Sequence, residues 1–198
     1  MNLDVIVVAS HHKKALVLDH LQDVPHKVNY TPDYDLPPDF QSEVIGLVRN
    51  HVGALRCLRG HQDAIKLCDT ENVLILEDDA VPNTNEWQDI VSDSIHLLDN
   101  FEVVSLHGRN FDRSSFENYE EIRPGNSFLH VPNKIQNIQV CGSLAYLLNR
   151  RSFDKMQSII YNGMPMDLLL VNHFSFCLIE KSPFNHDRSE GSLIDVGI

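Results

Sequence analysis

Three consecutive carboxylates, Glu77, Asp78 and Asp79, follow the apolar run Val73 to Leu76. Like charges in a row repel: two unit charges ~5 Å apart cost about 3 kcal/mol at an effective dielectric of ~20. A divalent cation removes that cost, and hard carboxylate oxygens suit manganese or magnesium. The apolar run reads as a strand buried on both faces of a parallel sheet. The triplet then stands where the strand leaves the sheet, the edge at which open α/β sheets bind ligands. Charge alone fits a solvated acidic turn as well as a metal site; the strand-end position favours the metal.

The surrounding pattern says what must position these groups. Strands are expected at 3–9, near 26–30, at 73–76 and 102–106, near 127–131, 137–140 and 144–148, and at 175–180. Helices are expected at 11–22, 42–68 with a break at Gly53, 86–98, 150–161 and 165–172. Residues 31–40 carry Pro32, Pro37 and Pro38 and read as a loop. Residues 107–126 are polar and irregular, a length that functional loops reach. The β-α-β-α-β alternation of the first half predicts a doubly wound α/β sheet.

Composition narrows the class. The chain has 198 residues, 42% hydrophobic and 22% charged, as in ordinary globular proteins. A formal charge of −12 argues against a broad nucleic-acid or anionic-membrane surface. No run reaches the ~18 apolar residues of a membrane span. The N-terminus reads as a first strand rather than a signal peptide, so the cytoplasm is the expected compartment. The four cysteines form no C-x-x-C pair and the eleven histidines no H-E-x-x-H site.

The stretch "VLILEDDAVP" (Val73 to Pro82) resembles the signature of glycosyltransferase family 25, which includes lipooligosaccharide and collagen galactosyltransferases. Four further pieces resemble that family in order: "GALRCLRGHQDAI" (Gly53 to Ile65), "CGSLAYLLNRRSFDKM" (Cys141 to Met156), "MPMDLLL" (Met164 to Leu170) and "GSLI" (Gly191 to Ile194). The resemblance implies a single GT-A-like (Rossmann-like) α/β domain over 1–198, with a mostly parallel central sheet flanked by helices. Residues 1–106 would form the nucleotide-sugar and metal half, and 107–198 the acceptor and catalytic half. It implies a metal-dependent hexosyltransferase using manganese or magnesium and a UDP-linked sugar donor. Asp79 and Asp78 are the implied metal ligands, with His186 as a late third ligand or a surface histidine. Glu77 and Asp78 would also face the nucleotide. Asp167 is either the general base for an acceptor hydroxyl, with inversion at the sugar, or an ordinary first-turn aspartate. His61 is a hydrogen-bonded core histidine or a site residue.

Val8, Ala9 and Ser10 end the first strand and are expected to help hold the nucleotide. Family members commonly carry arginine soon after this strand, where this chain has His11, His12, Lys13 and Lys14. Arg109 and Arg113 are candidate clamps for a phosphate or an acceptor group. The partners implied are a nucleotide sugar and a hydroxyl-bearing acceptor, whose identity the loops do not encode. Two other readings fit parts of the pattern: a metal-dependent phosphoesterase, and a catalytically inactive sugar-nucleotide or carbohydrate-binding module.

Overall fold

The computed structural model describes residues 3–11, 14–43, 48–107, 119–123, 126–131 and 143–187. Its centre is an eight-stranded mixed sheet. The strands are β1 (Leu3–Ser10), β2 (Lys27–Thr31), β3 (Asn72–Glu77), β5 (Val103–Ser105), β6 (Tyr119–Arg123), β7 (Asn126–Val131), β8 (Ala145–Asn149) and β9 (Phe176–Ile179). They lie in the order β2-β1-β3-β8-β5-β9-β7-β6. All run the same way except β8 and β7, which are antiparallel to their neighbours. Strands β4 (Ala80–Pro82) and β10 (Phe184–His186) form a separate antiparallel pair.

Alternation along the strands builds two cores. Ile6, Val8, Val73, Ile75, Tyr146 and Leu148 face α1 (His51–Ile65), α3 (Phe153–Ser158) and α4 (Met166–His173). Val5, Val7, Leu74, Leu76, Ala145 and Leu147 face a 3-10 helix (Leu16–His20), α2 (Trp87–Ser94) and a second 3-10 helix (Ile95–Asp99). Both faces of β1 and β3 are therefore covered, which is why their apolar runs are continuous. No helix among the described residues is long and apolar enough to cross a membrane.

Several expected elements differ. Among the described residues of 11–22 there is only the short 3-10 helix, whose first-turn Val17 N–H goes to the Asp78 carbonyl at 3.1 Å. Gly53 does not break α1. It lies in the first turn, where its N–H is capped by Asn50 Oδ1 at 2.9 Å. Strand β6 falls inside the region read as an irregular loop. The expected strand at 137–140 lies outside the described residues, as do Arg109, Arg113, Cys141, Gly142 and the Gly191–Ile194 piece.

Candidate functional site

One sheet edge gathers the chemistry. Strands β1, β3 and β5 end there, and the antiparallel β8 begins there, so Ser10, Glu77, His107 and Ser143 share it. The Glu77 N–H donates to the Leu144 carbonyl at 2.8 Å, and the Leu106 N–H donates to the Ala145 carbonyl at 2.9 Å. Asp78 and Asp79 form the turn that carries β3 into β4. Each is only 9% exposed.

Asp78 is tied to β1: its Oδ2 accepts the Ser10 N–H at 3.1 Å. Val8 and Ala9 are buried beside it, Val8 in register with Glu77. They contribute the backbone that delivers Ser10, while their side chains fill the two cores.

Asp79 meets a residue 107 positions away. Its Oδ2 lies 2.6 Å from His186 Nε2. The pairing of β10 with β4 sets this contact, with His186 opposite Ala80 and the Asp187 N–H donating to the Asp79 carbonyl at 3.0 Å. Asp79 Oδ1 is buried and meets no hydrogen-bond partner among the described residues. A buried carboxylate oxygen left without a partner is costly and calls for an explanation such as an ion. Asp79 with His186 supplies a carboxylate and an imidazole, donors that suit manganese, while Asp78 Oδ2 is taken by the Ser10 N–H.

Glu77 points elsewhere, into a buried network. Its Oε1 accepts the Ser143 hydroxyl at 2.6 Å and lies 3.3 Å from His61 Nε2. The other ring nitrogen of His61 is 2.8 Å from the Tyr146 hydroxyl. His61 is 0% exposed, so it supports the site from beneath. Burial alone would raise the Glu77 pKa, but His61 and the Ser143 hydroxyl outweigh it and hold the carboxyl below its ordinary range. Cys57, one helical turn before His61, places its Sγ 4.0 Å from Glu77 Oε1. Burial pushes the Cys57 thiol well up, and the charges of Glu77, Asp167, Asp78 and Asp79 push it the same way. Four carboxylates thus act on one thiol. Donor atoms of Cys57, His61 and Glu77 lie within 4.8 Å of one another, the one cluster of three such donors that close among the described residues.

Asp167 joins the same network. It lies in the first turn of α4, and its Oδ1 accepts the Ser143 N–H at 2.5 Å. Ser143 therefore grips Glu77 with its hydroxyl and Asp167 with its amide.

Sequence reasoning missed His107. It follows the end of β5, and its Nδ1 is 3.0 Å from the Phe184 carbonyl. A carbonyl only accepts, so Nδ1 carries the proton, and the neutral ring keeps its lone pair on Nε2. Burial pushes its pKa down, against the pull of that carbonyl, Asp167 and Glu77. The signal in the sequence was the position: a histidine just beyond a buried strand, as the triplet is in β3.

No family model and no curated protein matches the sequence. Solved structures do match. A197 from STIV aligns with a TM-score of 0.52 at 11% identity, covering 94% of this chain and 87% of that one. That likeness shows the fold. S. aureus TarS (residues 1–349) aligns at 0.48 and 14% identity, covering 93% of this chain and 59% of that one. A glycosyltransferase involved in the glycosylation of the major capsid of PBCV-1 aligns at 0.40 and 11% identity, covering 78% and 64%.

Proposed function

We propose that the protein is a metal-dependent glycosyltransferase that moves a hexose from a nucleotide-diphosphate sugar to an acceptor hydroxyl with inversion. The observation that carries this reading is Asp79. It is a buried carboxylate with one oxygen against His186 and the other without a partner among the described residues, at the sheet edge that also holds Asp167. Asp79, His186 and Asp78 would hold manganese or magnesium. Such an ion supplies Lewis-acid neutralisation of the charge that builds on a diphosphate as it leaves.

The chain's own groups account for the remaining chemistry. Asp167 accepts the proton of the acceptor hydroxyl. The acceptor oxygen then forms its bond to the anomeric carbon as the bond from that carbon to the diphosphate oxygen breaks. One base and one displacement give inversion. The Ser10 N–H holds Asp78 in place, which ties the end of β1 to the β3–β4 turn. The resemblance of "VLILEDDAVP" to family 25 supports UDP as the nucleotide and a hexose as the sugar.

The test is a thermal-shift panel of UDP-, GDP-, CDP- and dTDP-sugars with and without manganese. A true donor at a hundredfold excess over its dissociation constant stabilises by ~2.7 kcal/mol, which raises Tm by roughly 5–10 °C for a chain of this size. Asp79→Asn should abolish the manganese-dependent part of that shift and the transfer activity. Full retention of both in the variant removes the metal assignment.

A further inference from the structure

A general base works only if its carboxylate is aimed, and a group from outside α4 helps to aim Asp167. α4 is eight residues long, and its N-cap, Pro165, supplies no side-chain cap. What holds Asp167 Oδ1 is the Ser143 N–H at 2.5 Å. Ser143 in turn is held by its hydroxyl, which donates to Glu77 Oε1 at 2.6 Å. Glu77 is braced by His61 at 3.3 Å, and His61 by the Tyr146 hydroxyl at 2.8 Å. Tyr146 is fully buried in β8, in register with Ile75 on one side and Ser105 on the other. The chain of contacts therefore runs from the middle of the sheet to the proposed base, with Glu77 Oε1 shared by the Ser143 and His61 links.

Glu77 has a defined task within that chain. Its Oε1 faces Ser143, His61 and Cys57, which turns that oxygen inward from Asp78 and Asp79. A carboxylate so engaged anchors its neighbours. We propose that Ser143 is the positioning residue for Asp167, and that Glu77, seated on His61 and Tyr146, keeps Ser143 in place. This rests on the reading of Asp167 as the base of a sugar transfer.

The experiment measures kcat and donor KM on the full chain, using the sugar nucleotide that stabilises it most in the thermal-shift panel. Manganese-dependent UDP binding is measured alongside by calorimetry. Ser143→Ala keeps the backbone N–H but frees it to drift. A misplacement of a fraction of an ångström to 1 Å costs on the order of 10- to 100-fold in rate. The expected result is a kcat loss of that size with donor KM and UDP affinity unchanged, and recovery of most of kcat in Ser143→Thr, which restores the hydroxyl. Glu77→Leu, which removes the acceptor oxygen that Gln would keep, should repeat the Ser143→Ala signature. A wild-type kcat in Ser143→Ala, no recovery in Ser143→Thr, or a donor KM that rises in Glu77→Leu overturns the proposal. So does a Ser143→Ala variant that loses UDP binding, since the residue would then serve the donor or the fold. Asp167→Asn separates the two levels. If it still transfers sugar, or if no donor stabilises the chain, the functional reading falls and this inference with it. If it is dead while Ser143→Ala is normal, only the inference falls.

Discussion

A histidine with no exposed surface cannot reach water, so both ring nitrogens of His61 must be met by protein groups. Tyr146 and Glu77 meet them, at 2.8 and 3.3 Å. Removing the ring leaves a buried phenol and a half-buried carboxylate each short of a partner, as well as a cavity. Unsatisfied buried groups cost about 1–3 kcal/mol each, and the lost packing adds to that. His61→Ala is therefore expected to lose ~3 kcal/mol or more, read as a lower urea midpoint at unchanged slope. A midpoint within error of wild type would mean that the network does not support the fold. The residue types in this network were legible in the sequence, but their partnerships were not. The i, i+4 spacing of Cys57 and His61 puts them on one helix face. Nothing in the spacing says that the face meets Glu77, 16 residues later, and Tyr146, 85 residues later.

At the scale of elements, helix α1 packs against β1 and β2 with no room for a side chain at Gly60. A Cβ added at Gly60 would overlap Thr31 Oγ1 and stand 2.9 Å from Val8 Cγ1. Helix propensity alone says that Gly60→Ala should gain about 1 kcal/mol. The neighbours reverse the sign, because Thr and Val are β-branched and stiff at χ1 and cannot swing away. The expected outcome is a loss of ~1–3 kcal/mol, the usual cost of overpacking, read as a lower denaturant midpoint. A gain would show that helix and sheet separate freely here. The same helix orders the proline-rich loop: Arg56 pairs with Asp33 at 2.9 Å and donates to the Tyr34 carbonyl at 3.0 Å, and the Tyr34 hydroxyl donates to Asp63 at 2.7 Å. Long periodic elements were readable because burial imposes a repeat that a sequence can display. β4 and β10 were not. They have three residues each, too few for any period, and β4 ends in Pro82. Yet they bring His186 to Asp79, so one of the three candidate metal ligands rests on the least legible elements. β5, also three residues long, delivers His107.

At the scale of the whole molecule, the β-α alternation announced an α/β sheet, but not that β8 would enter antiparallel between β3 and β5. That choice depends on pairing between strands far apart in sequence. It places Ser143 at the carboxylate edge. Acid stability is decided at the same scale. Asp4 accepts the N–H groups of Asp69 and Thr70 at 2.6 and 3.1 Å, tying the start of β1 to the turn before β3. Asp63 is 2.6 Å from Lys66, and Glu102 is 2.7 Å from Lys155 and accepts the Ser175 N–H at 2.8 Å. Burial opposes ionisation at all three, but these partners outweigh it and hold the carboxyls below their ordinary values of 3.8 and 4.5. A carboxylate depressed in the folded state stabilises fully above its unfolded pKa, and that stabilisation is lost as pH falls through the folded value. His107 acts with the same sign from higher pH. Burial lowers it below its ordinary 6.5, so the unfolded chain takes up its proton first as pH falls. Acidification also relieves self-repulsion in a chain of charge −12, which works in the opposite direction. At ~0.15 M salt the Debye length is about 8 Å, so distant repulsion is screened while the close pairs persist. The urea midpoint at that ionic strength should fall slightly from pH 7 to 5 and steeply below about 4.5. Asp4→Asn should start lower and fall less steeply. A midpoint that rises on acidification would show that repulsion, not these ties, governs the stability of the fold.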